Sequence, residues 1–196
     1  MQGTHNPPAM RKLKLQVQIT LDGYIAGPNQ EMDWALMNWS DDLNAYVTAL
    51  TEPVGTILLG RKLAEGFIPY WEGVAADSGN PEQASGQLFT NLPKVVFSRS
   101  LAARPAWPHT EVCQEEMAEA VKALKAAEGG DLIVYGGAEF VSELIQANLI
   151  DEYHLLVNPT ALGSGLSIFR THTDLKFLRS QAFTCGIHVM VYAPND

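Results

Sequence analysis

The ten residues Asp131-Leu-Ile-Val-Tyr-Gly-Gly-Ala-Glu-Phe140 constrain this chain more than any other stretch. Leu132, Ile133, Val134 and Tyr135 form a short apolar run suited to a buried strand, and Phe140, Val141, Leu144 and Ile145 recur at helical spacing. Gly136 and Gly137 therefore fall at the N-terminus of a helix. Unpaired N–H groups and the positive end of the helix dipole gather there, and no Cβ obstructs a close-approaching anion. A tight strand-to-helix turn that needs glycine only for its dihedral angles would use the same residues. Further signals must separate the two.

Composition narrows the partners. A chain of 196 residues that is 46% hydrophobic can bury one full core, and a single domain is expected over 11–196, after a disordered extension over 1–10 that has no signal-peptide apolar stretch. The net charge of -9 argues against a nucleic-acid or anionic-membrane partner, so an anionic small molecule must be held by local donors. No apolar run reaches the roughly 18 residues of a membrane helix. Cys113 and Cys185 are isolated, without Cys-x-x-C or His at ligand spacing, which predicts no metal site and fits two reduced thiols in a cytoplasmic protein.

Strand and helix patterns alternate along the chain. Leu13, Leu15, Val17 and Ile19 alternate with Lys14, Gln16 and Gln18, a strand with one buried face. Ser40 stands where it can cap a helix carrying Leu43, Tyr46, Val47 and Leu50. Thr56 to Leu59 is a buried strand running into Gly60-Arg-Lys-Leu-Ala-Glu65, a second strand-to-helix turn. Residues 68–91, with prolines, glycines and little periodicity, read as a long surface excursion. Lys94 to Ser98 is another strand, a short one lies near Glu111, and Met117, Ala120, Val121 and Leu124 mark a helix before the glycine pair. Asp151 to Val157 is a strand, and the tail from Lys176 to Tyr192 is an antiparallel hairpin around Cys185-Gly186. The order predicts an α/β fold whose mostly parallel sheet is closed by that hairpin.

Donor-rich residues sit at three strand exits: Gly60-Arg61-Lys62, Ser98-Arg99 and Gly136-Gly137. Ligands of open α/β sheets lie outside the carboxyl ends of the strands, so these turns can converge on one crevice. Cations are disfavoured at a helix N-terminus unless an anion is near, which gives Arg61 and Lys62 weight.

The chain resembles the dihydrofolate reductase-like superfamily, and within it the reductase domain of the bifunctional riboflavin-biosynthesis protein. The matching pieces are Thr20-Leu-Asp-Gly-Tyr-Ile-Ala-Gly27, Leu59-Gly-Arg-Lys62, Val95-Val-Phe-Ser-Arg99, Val134-Tyr-Gly-Gly-Ala-Glu139, and Leu149 to Val157 followed by Leu162-Gly-Ser-Gly165. This resemblance implies a three-layer α/β/α fold, an NADPH cofactor and, as in many relatives, a homodimer. Carried over by position, Gly60, Arg61 and Lys62 face phosphate oxygens, and Ser98 and Arg99 face the 2′-phosphate. Gly136, Gly137, Ala138 and Glu139 lie against the pyrophosphate, and Ile25 and Tyr135 border the nicotinamide. It also implies a cis peptide between the two glycines.

The implied activity is hydride transfer to a small heterocycle, resembling 5-amino-6-(5-phosphoribosylamino)uracil reductase. Dihydrofolate or another carbonyl compound are alternative acceptors, and a non-catalytic NADPH-binding protein is a third class. Tyr135 stands where many riboflavin reductases have Glu, and their Asp-Asp-Pro segment is missing after Gly60. Asp22 and Asp42 are the candidate catalytic acids, with Asp33 and Trp34 as candidate substrate contacts on the loop leaving the first strand.

Overall fold

The computed structural model describes residues 10–101 and 106–195, so the extension expected over 1–10 lies, Met10 apart, outside the described residues. The strands are β1 Leu13–Ile19, β2 Val54–Gly60, β3 Lys94–Phe97, β4 Thr110–Cys113, β5 Asp131–Val134, β6 Glu152–Val157, β7 Leu175–Ala182 and β8 His188–Pro194. The helices are α1 Asp41–Thr51, α2 Arg61–Ala76, α3 Gln83–Asn91, α4 Met117–Ala126 and α5 Ala138–Gln146. All the strands join one sheet in the order β4-β3-β2-β5-β1-β6-β8-β7. Pairing is parallel from β4 through β6, and antiparallel for β6–β8 and β8–β7. The α/β class, the mostly parallel sheet and the terminal hairpin are those expected from the sequence.

A parallel sheet exposes no face to water, and the parallel part of this one is covered on both, whereas β7 at the antiparallel end is largely exposed. Leu13, Leu15, Val17 and Ile19 of β1 join Val134 under Phe140, Val141 and Leu144 of α5 and Val121 of α4. On the opposite face, Ile57, Leu59, Val96 and Ile133 meet Ala64 and Ile68 of α2. Farther along that face, Leu156, Val189 and Val191 meet Leu43 of α1. The alternation of β1 sends Lys14 and Gln16 between these last two clusters, and both are buried. Lys14 Nζ lies 2.8 Å from an Asp131 carboxylate oxygen, whereas Gln16 Oε1 has no hydrogen-bond partner.

Residues 68–91 correct the sequence reading. They are mostly helical, with α2 continuing through Pro69 to Ala76 and α3 following. Aromatic packing explains the difference: the Phe89 ring sits 5.7 Å from Phe67 and 4.5 Å from Trp71, centroid to centroid. Such burial outweighs the helix-breaking composition that the pattern suggested. Ser40 does occupy the N-cap position of α1, but its hydroxyl donates to the Asp42 carboxylate and accepts from no helix N–H.

Candidate cofactor site

Each parallel strand that carries a predicted ligand turn ends at the same rim of the sheet. β2 passes at Gly60 directly into α2, and β5 passes through the glycine pair into α5. Gly136 and Gly137 have φ of 147° and 85°, conformations that side-chain-bearing residues rarely adopt. Among the described residues no peptide is cis, which corrects the expectation for the glycine pair. The two successive positive-φ residues turn the chain from strand to helix with a trans bond. Among the described residues no side chain caps the N-terminus of α2 or α5. Their first-turn N–H donors remain for other acceptors.

These ends enclose a cavity of about 780 Å³. Gly60, Arg61 and Lys62 line it from α2, Ser98 and Arg99 from the exit of β3, and Gly137, Ala138 and Glu139 from α5. Ile25 and Met32 from the β1–α1 loop and Leu166 from the β6–β7 loop form its apolar end. The two loops are held together there, because Ile25 N–H donates to Leu166 O and Leu166 N–H donates to Ala26 O, each at 2.8 Å. Nine of the residues singled out in the sequence thus share one wall: Ile25, Gly60, Arg61, Lys62, Ser98, Arg99, Gly137, Ala138 and Glu139.

The charges on this wall are partly paired. Arg61 Nη1 lies 2.7 Å from Glu65 Oε1, and Lys62 Nζ lies 3.0 Å from Glu139 Oε2. The Lys62 ammonium holds the Glu139 carboxyl below its ordinary range, helped more weakly by Arg170. Ser98 is buried, and its hydroxyl accepts from the N–H groups of Ser100 and Leu101 at 3.3 and 3.1 Å, which shapes the turn that presents Arg99.

The remaining candidates lie elsewhere. The Tyr135 ring is on the helix-α2 side of the sheet, stacked 5.6 Å from Phe67, and its hydroxyl is buried without a partner. Burial pushes that phenol well above its ordinary pKa. Gly136 is buried behind the wall. The Asp22 carboxylate accepts from Thr20 Oγ1 at 2.6 Å and from the N–H groups of Leu162 and Gly163, the latter at 2.7 Å. It pins the β1–α1 loop to the β6–β7 loop. Asp42 accepts from Ser40 and from Thr184 Oγ1, the latter at 2.8 Å, and these hydroxyls hold its carboxyl down at about 2. Asp33 is exposed, and Trp34 Nε1 donates to Glu31 O at 3.2 Å. None of these side chains is on the cavity wall.

Arg170, Glu143, Met117 and Cys113 do line the cavity, and the sequence reading passed over them. Arg170 follows the Gly163-Ser-Gly165 loop opening, so a cation near that loop was the available signal. Met117 and Cys113 gave none, because their placement depends on β4 joining the far side of the sheet. An elongated ligand fits this arrangement, with anionic groups at the helix N-termini and arginines and a planar apolar group against Ile25, Met32 and Leu166. Among the described residues no cluster of His, Cys, Asp and Glu is suited to a metal ion.

Residues 11–189 match the RibD C-terminal domain. The chain belongs to that family. This RibD C-terminal domain is 30% identical over 190 residues to the uncharacterized protein YyaP of Bacillus subtilis, covering 94% of this chain and 96% of that one. Its fold is similar to the Thermotoga maritima diaminohydroxyphosphoribosylaminopyrimidine deaminase/5-amino-6-(5-phosphoribosylamino)uracil reductase, with a TM-score of 0.67 and 19% identity, over 95% of this chain and 57% of that one. It is also similar to Enterococcus faecalis dihydrofolate reductase complexed with NADP(H), with a TM-score of 0.59 and 16% identity, over 94% and 97% of the two chains. The fold is dihydrofolate reductase-like.

Proposed function

We propose that this RibD C-terminal domain is an NADPH-dependent reductase that delivers a hydride to a C=N or C=O carbon of a small heterocycle. The observation that carries the reading is the convergence of Arg61, Lys62, Ser98 and Arg99 with the Gly137 turn on one cavity. These residues fit the cofactor. Two uncapped helix N-termini offer N–H donors to a pyrophosphate, and Arg99 beside the buried Ser98 suits a 2′-phosphate on a chain of charge -9.

When bound, the cofactor supplies the hydride. The chain's own part is to orient and enclose the reactants. Ile25, Met32 and Leu166 would hold the planar acceptor and keep water from it, while Arg61 and Lys62 fix the phosphates. A proton must also reach the acceptor's nitrogen or oxygen. Asp22 and Asp42 are committed to other contacts, so solvent would provide it. That commitment favours a second reading, a non-catalytic NADPH-binding protein. The T. maritima similarity supports an aminouracil phosphate as the first acceptor to test, with dihydrofolate as the second.

Calorimetric titration of NADPH and NADH into the wild type, Arg61→Ala and Arg99→Ala tests the cofactor assignment. Charge-assisted bonds are worth about 1.5 to 3 kcal/mol, so losing one should weaken NADPH by roughly ten-fold or more and leave NADH little changed for Arg99→Ala. Equal wild-type affinity for both cofactors, or none for either, overturns the reading. Oxidation of bound NADPH by either acceptor then separates enzyme from binding protein.

We also infer a homodimer. Among the described residues no strand pairs with the outer edge of β7, and Phe177 and Leu178 on it are exposed. Capping that edge with a second copy would cover both.

A further inference from the structure

The Lys62–Glu139 contact joins the first turn of α2 to the first turn of α5 across the rim where the phosphates would lie. Both residues line the cavity, and their side chains are 63% exposed. No acidic residue stands in the first turn of α2, so the acid that Lys62 meets comes from the neighbouring helix. Glu139 also feels Arg170 from the loop after β6. The Glu139 carboxylate, in the first turn of α5, thus meets a lysine from α2 and feels an arginine from the β6–β7 loop besides the N-terminus of its own helix.

Resting on the NADPH reading above, the geometry points to Glu139 as a built-in counter-anion that competes with the cofactor's pyrophosphate for Lys62. In the free protein the carboxylate holds the ammonium across the rim. On binding, Lys62 exchanges it for a phosphate oxygen, and Glu139, left beside a second anion, must swing towards Arg170 or solvent. The exchange is feasible because both partners are exposed, and an ion pair in that setting holds only weakly. It still costs affinity, since the site gives up one favourable contact and gains a repulsive one. Glu139 thereby tunes how tightly the cofactor is retained between turnovers. It opposes the pyrophosphate and does not donate to it.

Removing the charge while keeping the shape separates this role from a structural one. Glu139→Gln should tighten NADPH by about three- to ten-fold at low ionic strength, and the gain should shrink as salt is raised. Adenosine 2′-monophosphate, which carries the 2′-phosphate and no pyrophosphate, should bind wild type and Glu139→Gln equally. In a Lys62→Ala background the gain from Glu139→Gln should shrink, because only its repulsion of the pyrophosphate is left to relieve. Unchanged or weaker NADPH binding by Glu139→Gln overturns the inference while leaving the cofactor assignment standing, and so does a gain that persists undiminished in Lys62→Ala. Absence of NADPH binding by both proteins overturns the cofactor assignment and the inference together. Thermal unfolding of each variant provides the control, and a midpoint that moves in parallel with affinity would mark Glu139 as structural.

Discussion

The hydroxyl of Tyr46 on α1 lies 2.6 Å from Nδ1 of His154 on β6, whose Nε2 lies 3.2 Å from a Glu152 carboxylate oxygen. A neutral ring with its proton on Nε2 satisfies both neighbours, donating to Glu152 and accepting from Tyr46. Burial pulls the His154 pKa down to about 4, against the opposing pull of Glu152, with Arg179 and Lys14 adding to the decrease. The folded protein thus binds fewer protons than the unfolded chain between about pH 4 and 6.5, so this contribution is fully present above 6.5 and is lost as pH falls towards 4. At most about 3 kcal/mol is involved. Thermal midpoints measured from pH 7 to 4 should decline for the wild type and decline less steeply for His154→Gln. Parallel curves would remove His154 from the account.

Lys94 predicts a different loss. Its buried ammonium donates to the carbonyls of Phe89, Thr90 and Leu92 at 2.9, 2.9 and 2.7 Å, closing the C-terminus of α3. Burial lowers its pKa to about 8. Lys94→Met leaves those carbonyls unpaired and should cost about 1 to 3 kcal/mol in urea unfolding. A midpoint unchanged by the substitution would show that water replaces the ammonium freely.

Gly165 lets the β6–β7 loop touch the β1–α1 loop, because a Cβ there would come within 2.3 Å of Ala26 O. Gly165→Ala must push the two loops apart at the apolar end of the cavity. Acceptor KM should rise more than NADPH affinity falls, since the displaced loops carry Ile25 and Leu166 and none of Arg61, Lys62, Ser98 and Arg99. Equal effects on both would place Gly165 outside substrate binding.

Asp42→Asn is expected to lower the thermal midpoint and spare NADPH affinity, because its carboxylate fastens the start of α1 to Thr184 and is absent from the cavity wall. Asp22→Asn should instead lower turnover with midpoint and turnover moving together, as befits a pin between loops. A turnover loss with the midpoint unmoved would return Asp22 to the chemistry.

For assembly, light scattering at micromolar concentration should give about twice the chain mass, whereas a value near 21.4 kDa would remove the homodimer.

The sheet and the rim where the three strand-exit turns meet were legible because their signals are local. Period-two alternation in β1, short apolar runs and glycine pairs need no knowledge of distant partners. Tyr135 shows where such reading slips. It directly precedes Gly136, yet strand parity sends it with Ile133 to the helix-α2 side, while Leu132 and Val134 share the face under α5. That parity was visible in the sequence. The roles of Asp22 and Asp42 were not, since their partners Gly163 and Thr184 lie 141 and 142 residues away. Helix α2 beyond Ile68 was obscured for the same reason, as its aromatic support comes from Phe89 in another helix.

The strand order has a consequence for biosynthesis. Within this domain β1 is made before every other strand, yet both of its neighbours, β5 and β6, are made after residue 130. Until then Leu13, Leu15 and Val17 have no sheet to enter, and the nascent chain must carry them unprotected or shielded by a chaperone. The unit β2–β3–β4 can pair earlier, whereas the strand at the heart of the molecule meets its first sheet neighbour only when β5 is made. Slow codons placed just before β5 would lengthen that exposed interval.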